Sequence, residues 1–231
     1  MRLAIFCDFD DTITRTNVTD AVLERFAAPA WLSIQEDWLA GKLGAREVLE
    51  KQMPLISTGR DELHTLIDSI EVDPHFADFA LYCANEGQSL FILSDGFDYW
   101  IKRILRRALS AYNGALNVPV YACQLTWNED RPTISFPYFP EGCIHGCATC
   151  KPALFDRLRA GADRAVVIGD GVSDLLLARR ADTVLAKNGL AEFCHREEIA
   201  CHSFDNFRDI LKIIRSLDRS IHEPRKSDDV P

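Results

Sequence analysis

At 231 residues the chain is long enough for one large domain, or for a core carrying a smaller inserted domain. Its 47% apolar content suits a globular protein with a buried core, while a formal net charge of −9 argues against nucleic-acid binding, which needs clustered Lys and Arg. No apolar run approaches a membrane span, and the apolar start is too short for a secretory signal, so a cytoplasmic protein with reduced cysteines is expected.

The first predicted strand covers 3–7, an apolar run that stops at Asp8-Phe9-Asp10-Asp11-Thr12. From Thr16 to Ile70 only helical patterns follow: Val18/Val22/Phe26, then Trp31/Ile34/Trp38, then Leu63/Leu66/Ile67/Ile70, punctuated by Gly41, Gly44, Pro54 and Gly59. Roughly fifty residues of helix is too much for one crossover. A helical cap is therefore expected at 16–72, inserted into an α/β core built from 1–15 and 73–231. Phe26, Trp31 and Trp38 are expected to pack the cap's own core. Arg15, Asp20 and Arg46 are either contacts for a substrate's leaving group or ordinary surface charges.

Further strands are predicted at 89–93, 118–125, 165–168 and 183–186, with helices at 97–109, 152–159, 173–180 and 205–217. This alternation is the pattern of a parallel sheet covered by helices, an α/β fold of Rossmann-like topology. The basic cluster Lys102-Arg103…Arg106-Arg107 reads as the solvated face of a helix, and the polar tail after Leu217 is expected to fray.

Ligands of an open parallel sheet bind at the carboxyl ends of its strands, and three polar clusters fall there: Asp8 and Asp10; Ser94-Asp95-Gly96; and Gly169-Asp170-Gly171-Val172-Ser173-Asp174. Lys151 opens a helix, with Pro152 at a favoured first-turn position. Singly, each has a plainer reading as a turn, a helix cap or a surface charge. Together and in this order they suit phosphoryl transfer. A carboxylate that attacks a phosphate dianion needs a divalent cation to screen the repulsion, and magnesium takes a few carboxylates with phosphate oxygen and water, such as Asp8 and Asp170. A serine hydroxyl, backbone N–H groups of the Asp95-Gly96 turn and a lysine can hold the equatorial oxygens. Asp10 can protonate the leaving alkoxide and then activate water.

The set Asp8-x-Asp10-x-Thr12, Ser94, Lys151 and Gly169-Asp170…Asp174 resembles the haloacid dehalogenase superfamily. The resemblance implies Asp8 as nucleophile, Asp10 as general acid and base, and magnesium held by Asp8, the Asp10 backbone carbonyl and Asp170, with Asp174 supporting. It implies phosphoryl binding by Ser94, Asp95, Gly96 and Lys151, and a small phosphorylated metabolite as substrate. An Asp at position 10 points to phosphatases and phosphomutases, and the helical insertion to the phosphoserine-phosphatase-like branch. The Cys7-Asp8-Phe9-Asp10 opening, the Phe26-Ala27…Pro29…Trp31 segment and Cys150-Lys151-Pro152 are further similar to the 2-hydroxy-3-keto-5-methylthiopentenyl-1-phosphate phosphatase family of methionine salvage. Asp11 and Asp95 depart from it, each standing where a glycine is usual.

Three of the eight cysteines, Cys143, Cys147 and Cys150, form a tight C-x3-C-x2-C group. It reads either as a structural zinc site, with His145 or Cys123 as fourth ligand, or as reduced thiols packing a loop. The rival readings of the whole chain are a phosphoaccepting receiver, which lacks a cap and is about half as long, and a catalytically silent binding protein. Oligomeric state is not legible in the sequence.

Overall fold

A computed structural model describes residues 1–112, 114, 116–128, 131–144 and 146–219. Among these residues there are seven strands, β1 (Leu3–Cys7), β2 (Ser89–Phe97), β3 (Val120–Asn128), β4 (Arg131–Ser135), β5 (Arg164–Gly169), β6 (Thr183–Ala186) and β7 (His202–Ser203). They form one sheet in the order β4-β3-β2-β1-β5-β6-β7, parallel throughout except for the antiparallel β3–β4 pair. Strand order reverses at β1, which pairs with β2 on one side and β5 on the other. The crevice of such a sheet opens at the carboxyl ends of the strands flanking that reversal.

Every residue of β1 is buried, as expected of a central strand covered on both faces. Alternation along it divides the core. Leu3, Ile5 and Cys7 face a large cluster holding Phe76, Phe79, Trp100 and Phe207, whereas Ala4 and Phe6 face Leu154, Phe155 and Leu177. The first cluster is built by α5 (Phe76–Asn85), α6 (Asp98–Ala108) and α10 (Phe207–Arg219), and the second by α7 (Lys151–Leu158) and α8 (Leu175–Ala178). A third cluster joins β6 to α9 (Asn188–Arg196) through Val184, Ala186, Leu190 and Phe193. No helix among the described residues is long and apolar enough to cross a membrane.

Between β1 and β2 the chain makes α1 (Val18–Phe26), α2 (Trp31–Leu39), α3 (Ala45–Gln52) and α4 (Arg60–Ser69) before α5. Its exit and return are stitched together, because Thr14 and Val72 form an antiparallel bridge flanked by Arg15 N–H to Glu71 O (3.0 Å) and Asp73 N–H to Ile13 O (2.9 Å). Val18, Val22, Leu63 and Ile67 join the large sheet-side cluster, so α1 and α4 are seated directly on the core.

Several sequence expectations need correction. β2 does not stop at Leu93. It continues in extended form to Phe97, with a register shift against β3 between Leu93 and Phe97, so Ser94-Asp95-Gly96 is an irregular strand end rather than a separate turn. The helix expected at 173–180 breaks into a 3-10 turn, Val172–Asp174, and the single turn of α8. The basic cluster on α6 is more than a solvated face. Arg103 makes a bidentate pair with Asp68 (2.7 and 2.6 Å), and Arg107 donates to the carbonyls of Ile67, Asp68 and Ile70 where α4 ends. Helices α5 and α9 and strands β4 and β7 are not among the elements expected from the sequence, while α3 falls inside the stretch expected to be helical. The tail beyond residue 219 lies outside the described residues.

Candidate active site

The carboxyl ends of β1, β2 and β5 bring the predicted polar residues together around a cavity of about 320 Å³. Asp8 follows β1 and is anchored by its own N–H to Ile168 O (2.9 Å). The chain then turns sharply, with the N–H groups of Thr12, Ile13 and Thr14 converging on Phe9 O at 3.3, 2.8 and 3.1 Å. Within this turn Asp11 has φ +55°, in the left-handed region that favours glycine. That accounts for glycine being usual at this place in the family it resembles. The loop ends at Asn17, which caps α1 by accepting the Asp20 N–H at 3.0 Å.

Asp10 is held between two elements. Its Oδ1 accepts the Val18 N–H at the start of α1 (2.8 Å), and the Ser94 hydroxyl donates to its Oδ2 at 3.4 Å. Ser94 Oγ in turn accepts the Gly96 N–H at 2.9 Å. A side chain at Gly96 would place its Cβ 2.9 Å from Asp10 Oδ2 and 3.1 Å from Ser94 Oγ, so glycine is needed to keep this corner open. Burial, only partly offset by the Val18 N–H, and the charges of Asp8, Asp11 and Asp20 push the Asp10 carboxyl up to about 7.

Lys151, at the start of α7, lies just beneath the cavity floor and is 1% exposed. Its ammonium uses all three donors, on Asp8 Oδ1 (2.6 Å), Asp174 Oδ1 (2.8 Å) and Ser173 Oγ (2.8 Å). Burial alone would lower its affinity for the proton, but the Asp174, Asp8 and Asp95 carboxylates outweigh it and hold the amine well above its ordinary range. Asp95, half-buried, accepts the Thr149 N–H at 2.7 Å, which ties the end of β2 to the segment entering α7. Gly169 ends β5 where a Cβ would sit 2.2 Å from Asp174 Oδ2, so only glycine lets that carboxylate tuck against the strand.

Carboxylate oxygens of Asp8, Asp170 and Asp174 lie within 4.8 Å of one another, and Asp174 Oδ2 is buried with no hydrogen-bond partner among the described residues. A set of hard anionic oxygens, one of them orphaned, fits a divalent cation. Burial first, then neighbouring carboxylates including Asp8, raises Asp170 to about 6. Burial likewise takes Asp174 to about 7 against the pull of Lys151.

These shifts make a prediction for metal-free protein. Asp10, Asp20, Asp170 and Asp174 all hold protons more tightly folded than unfolded. Their contribution to stability is therefore fully present below the ordinary carboxylate range and is lost as pH rises through about 6 to 7. In chelator, the melting temperature of the wild type should fall more steeply between about pH 4 and pH 8 than that of Asp170→Asn. Parallel profiles for the two proteins would contradict the electrostatic account.

Over this floor stands a roof of which the sequence had singled out only Asp20 as a candidate to face a substrate. Asn17, Asp20, Gln35, Trp38, Val48, Leu49 and Gln52 line it, with Gln52 donating to Gln35 at 2.9 Å. Trp38 is thus a cavity residue, contrary to the expectation that it packs the cap's interior, because α2 turns that face over the opening while Trp31 is buried. Of the three charged candidates only Asp20 reaches the cavity. Arg15 faces Glu71 (3.8 Å), and Arg46 pairs with Glu50 (2.9 Å) with its guanidinium over the Phe136 and Phe139 rings. Ser173, the third partner of Lys151, lies inside a motif already singled out by its aspartates.

The profile of the haloacid dehalogenase-like hydrolases matches residues 5–179. A 2-hydroxy-3-keto-5-methylthiopentenyl-1-phosphate phosphatase of Brevibacillus brevis is 31% identical over 223 residues, covering 95% of this chain and 98% of the relative. The protein of the same name from Geobacillus thermodenitrificans is 29% identical over 94% of this chain and 97% of its own length. Among solved structures, a phospho-aspartyl intermediate analogue of phosphoserine phosphatase superposes with a TM-score of 0.69 at 20% identity, covering 92% of this chain and 98% of that one. A substrate-bound phosphoserine phosphatase gives 0.67 at 20% identity, over 92% and 97%. The chain belongs to the haloacid dehalogenase-like hydrolases. Within that superfamily it is a phosphatase, with the fold of the phosphoserine phosphatase structures.

Proposed function

We propose that the protein is a magnesium-dependent phosphomonoesterase for a small phosphorylated metabolite, that it works through an aspartyl-phosphate on Asp8, and that its substrate is 2-hydroxy-3-keto-5-methylthiopentenyl-1-phosphate. The observation that carries the chemistry is Asp10, whose carboxyl is pushed up to about 7 and shares a cavity with Asp8. A general acid works best with a pKa near the operating pH. An Asp8 oxygen attacks phosphorus, the phosphorus–oxygen bond to the alcohol breaks, and Asp10 gives its proton to the departing oxygen. Asp10, now a carboxylate, takes a proton from a water that attacks the same phosphorus, which returns Asp8 and releases phosphate.

Magnesium, held by Asp8, Asp170 and the Asp10 backbone carbonyl with Asp174 in support, would screen the charge of the phosphate. The Ser94 hydroxyl and the backbone of Asp95 and Gly96 bind phosphoryl oxygens at the end of β2, and Lys151 offsets the negative charge from below. Residues 16–72 serve as the cap, which closes over the substrate, excludes bulk water and sets specificity. The eight cysteines, none in a disulfide in the described structure, suit a reducing cytoplasm.

The substrate assignment rests on relatives of that name, such as the two above, which match along nearly the whole chain, and on the make-up of the roof. Trp38, Val48 and Leu49 offer an apolar surface for a methylthio group, while the Gln35 and Gln52 amides suit a keto or hydroxyl oxygen. Phosphoserine would bring a carboxylate, and among the described lining residues there is no Lys or Arg to pair with it. The test is phosphate release from a panel containing both esters, with magnesium and then with chelator. Release is expected to require magnesium and to favour the methylthio ester. A preference for phosphoserine would overturn the substrate, and no release from any ester by folded protein would leave a phosphomutase or a binding protein as the better reading.

A further inference from the structure

We propose that Cys143, Cys147 and Cys150 hold a zinc ion that staples the loop between β4 and α7, a second metal site separate from the carboxylate cluster. The three sulfurs lie within 4.8 Å of one another, and the Cys143 and Cys150 sulfurs are 3.9 Å apart. Two thiolates bound tetrahedrally at the usual zinc–sulfur distance stand about 3.8 Å apart, against about 2.05 Å in a disulfide. The spacing is already that of a tetrahedral edge.

The loop gives a reason for the ion. Residues 136–150 contain no helix or strand among those described. Ala148 and Cys150 are buried and Phe136 and Tyr138 pack on the core, but from 140 to 147 no described residue is buried and Ile144 is 89% exposed, so little apolar burial fixes that middle stretch. Yet two demanding contacts depend on it. Gly146 packs backbone to backbone on Gly44, where a Cβ would meet Gly146 O at 2.8 Å, and Gly146 O accepts the Arg46 N–H (3.3 Å). At its far end Cys150 donates its N–H to Tyr138 O (3.0 Å) and immediately precedes Lys151. A cross-link at the cysteines supplies the order that packing does not, and in small metal sites binding energy acts directly as folding energy.

The two sites sort metals by ligand chemistry. Soft thiolates select zinc, and the hard carboxylates suit magnesium. The three sulfurs fill three corners of a tetrahedron and leave one for a ligand other than Cys123, whose thiol is directed to Asp95 O (3.3 Å) and Thr149 Oγ1 (3.7 Å). His145, the other candidate, lies outside the described residues. This inference stands independently of the substrate and mechanism proposed above.

The test is elemental analysis of the purified full chain after dialysis into magnesium buffer, followed by cobalt replacement. One zinc per chain is expected in the wild type and none in Cys147→Ser. Cobalt should give a thiolate charge-transfer band in the wild type and in Asp170→Asn, and none in Cys147→Ser. Absence of zinc, together with no such band from metal-depleted wild type, would overturn the site. If Cys147→Ser does not fold, thiol titration of the wild type decides the matter. Three of the eight thiols should become reactive only when a zinc-selective chelator is present with excess magnesium, and unchanged reactivity would refute the proposal.

Discussion

Replacing Asp8 by Asn is expected to lower kcat by a factor on the order of 10⁴ to 10⁶, the scale of losing a nucleophile from an enzyme site. Asn keeps the size and the acceptor oxygen of Asp8, and Lys151 retains Asp174 and Ser173, so the variant should fold. Loss of turnover in a protein of near wild-type melting temperature would therefore report chemistry rather than collapse. Undiminished hydrolysis by Asp8→Asn would remove Asp8 from the mechanism.

Lys151→Ala is expected to act on stability as well as activity. The ammonium is buried between Asp8 and Asp174, and its removal leaves two buried carboxylates without their cation. Breaking a buried pair in this way costs about 3–5 kcal/mol, because one side of the pair is left uncompensated. The loss should be smaller at low pH, where Asp174, raised to about 7 by burial, takes up a proton, and smaller again in excess magnesium, which supplies charge from the other side. Thermal denaturation of Lys151→Ala and wild type across pH checks this. A loss below about 1 kcal/mol at neutral pH in chelator would contradict the role of Lys151 in compensating the buried carboxylates.

The floor of the site was legible in the sequence because its residues come in short consecutive runs. An apolar strand followed at once by Asp8 and Asp10 fixes both carboxylates at a strand end, and the same holds for Ser94 and Asp170. Apart from Asp20, the lining of the roof was not legible. Whether Trp38 faces inward or over the cavity depends on how α2 and α3 fold against each other, which helical spacing alone does not specify. For the same reason Asp20 came into the cavity while Arg15 and Arg46 found partners elsewhere. Helix α5 was missed although Phe76, Phe79, Ala80 and Cys83 are spaced for one buried face, and β4 was missed because its pairing with β3 is set by tertiary contact.

The two departures from family pattern are instructive in different ways. Asp11 occupies a left-handed backbone position where glycine is relaxed, adds charge beside Asp8, and is raised by burial against the pull of Lys187. Asp95 has a role that sequence alone did not suggest, since its carboxylate accepts the Thr149 N–H and so joins β2 to the segment leading into Lys151.

The most direct measurement is an acid quench of the wild-type enzyme during turnover of an ester labelled in its phosphoryl group, followed by mapping of the labelled peptide. The account predicts label on Asp8 alone, discharged by water and absent from Asp8→Asn. Release of phosphate at full rate with no label on the protein, or with label on a residue other than Asp8, would contradict it.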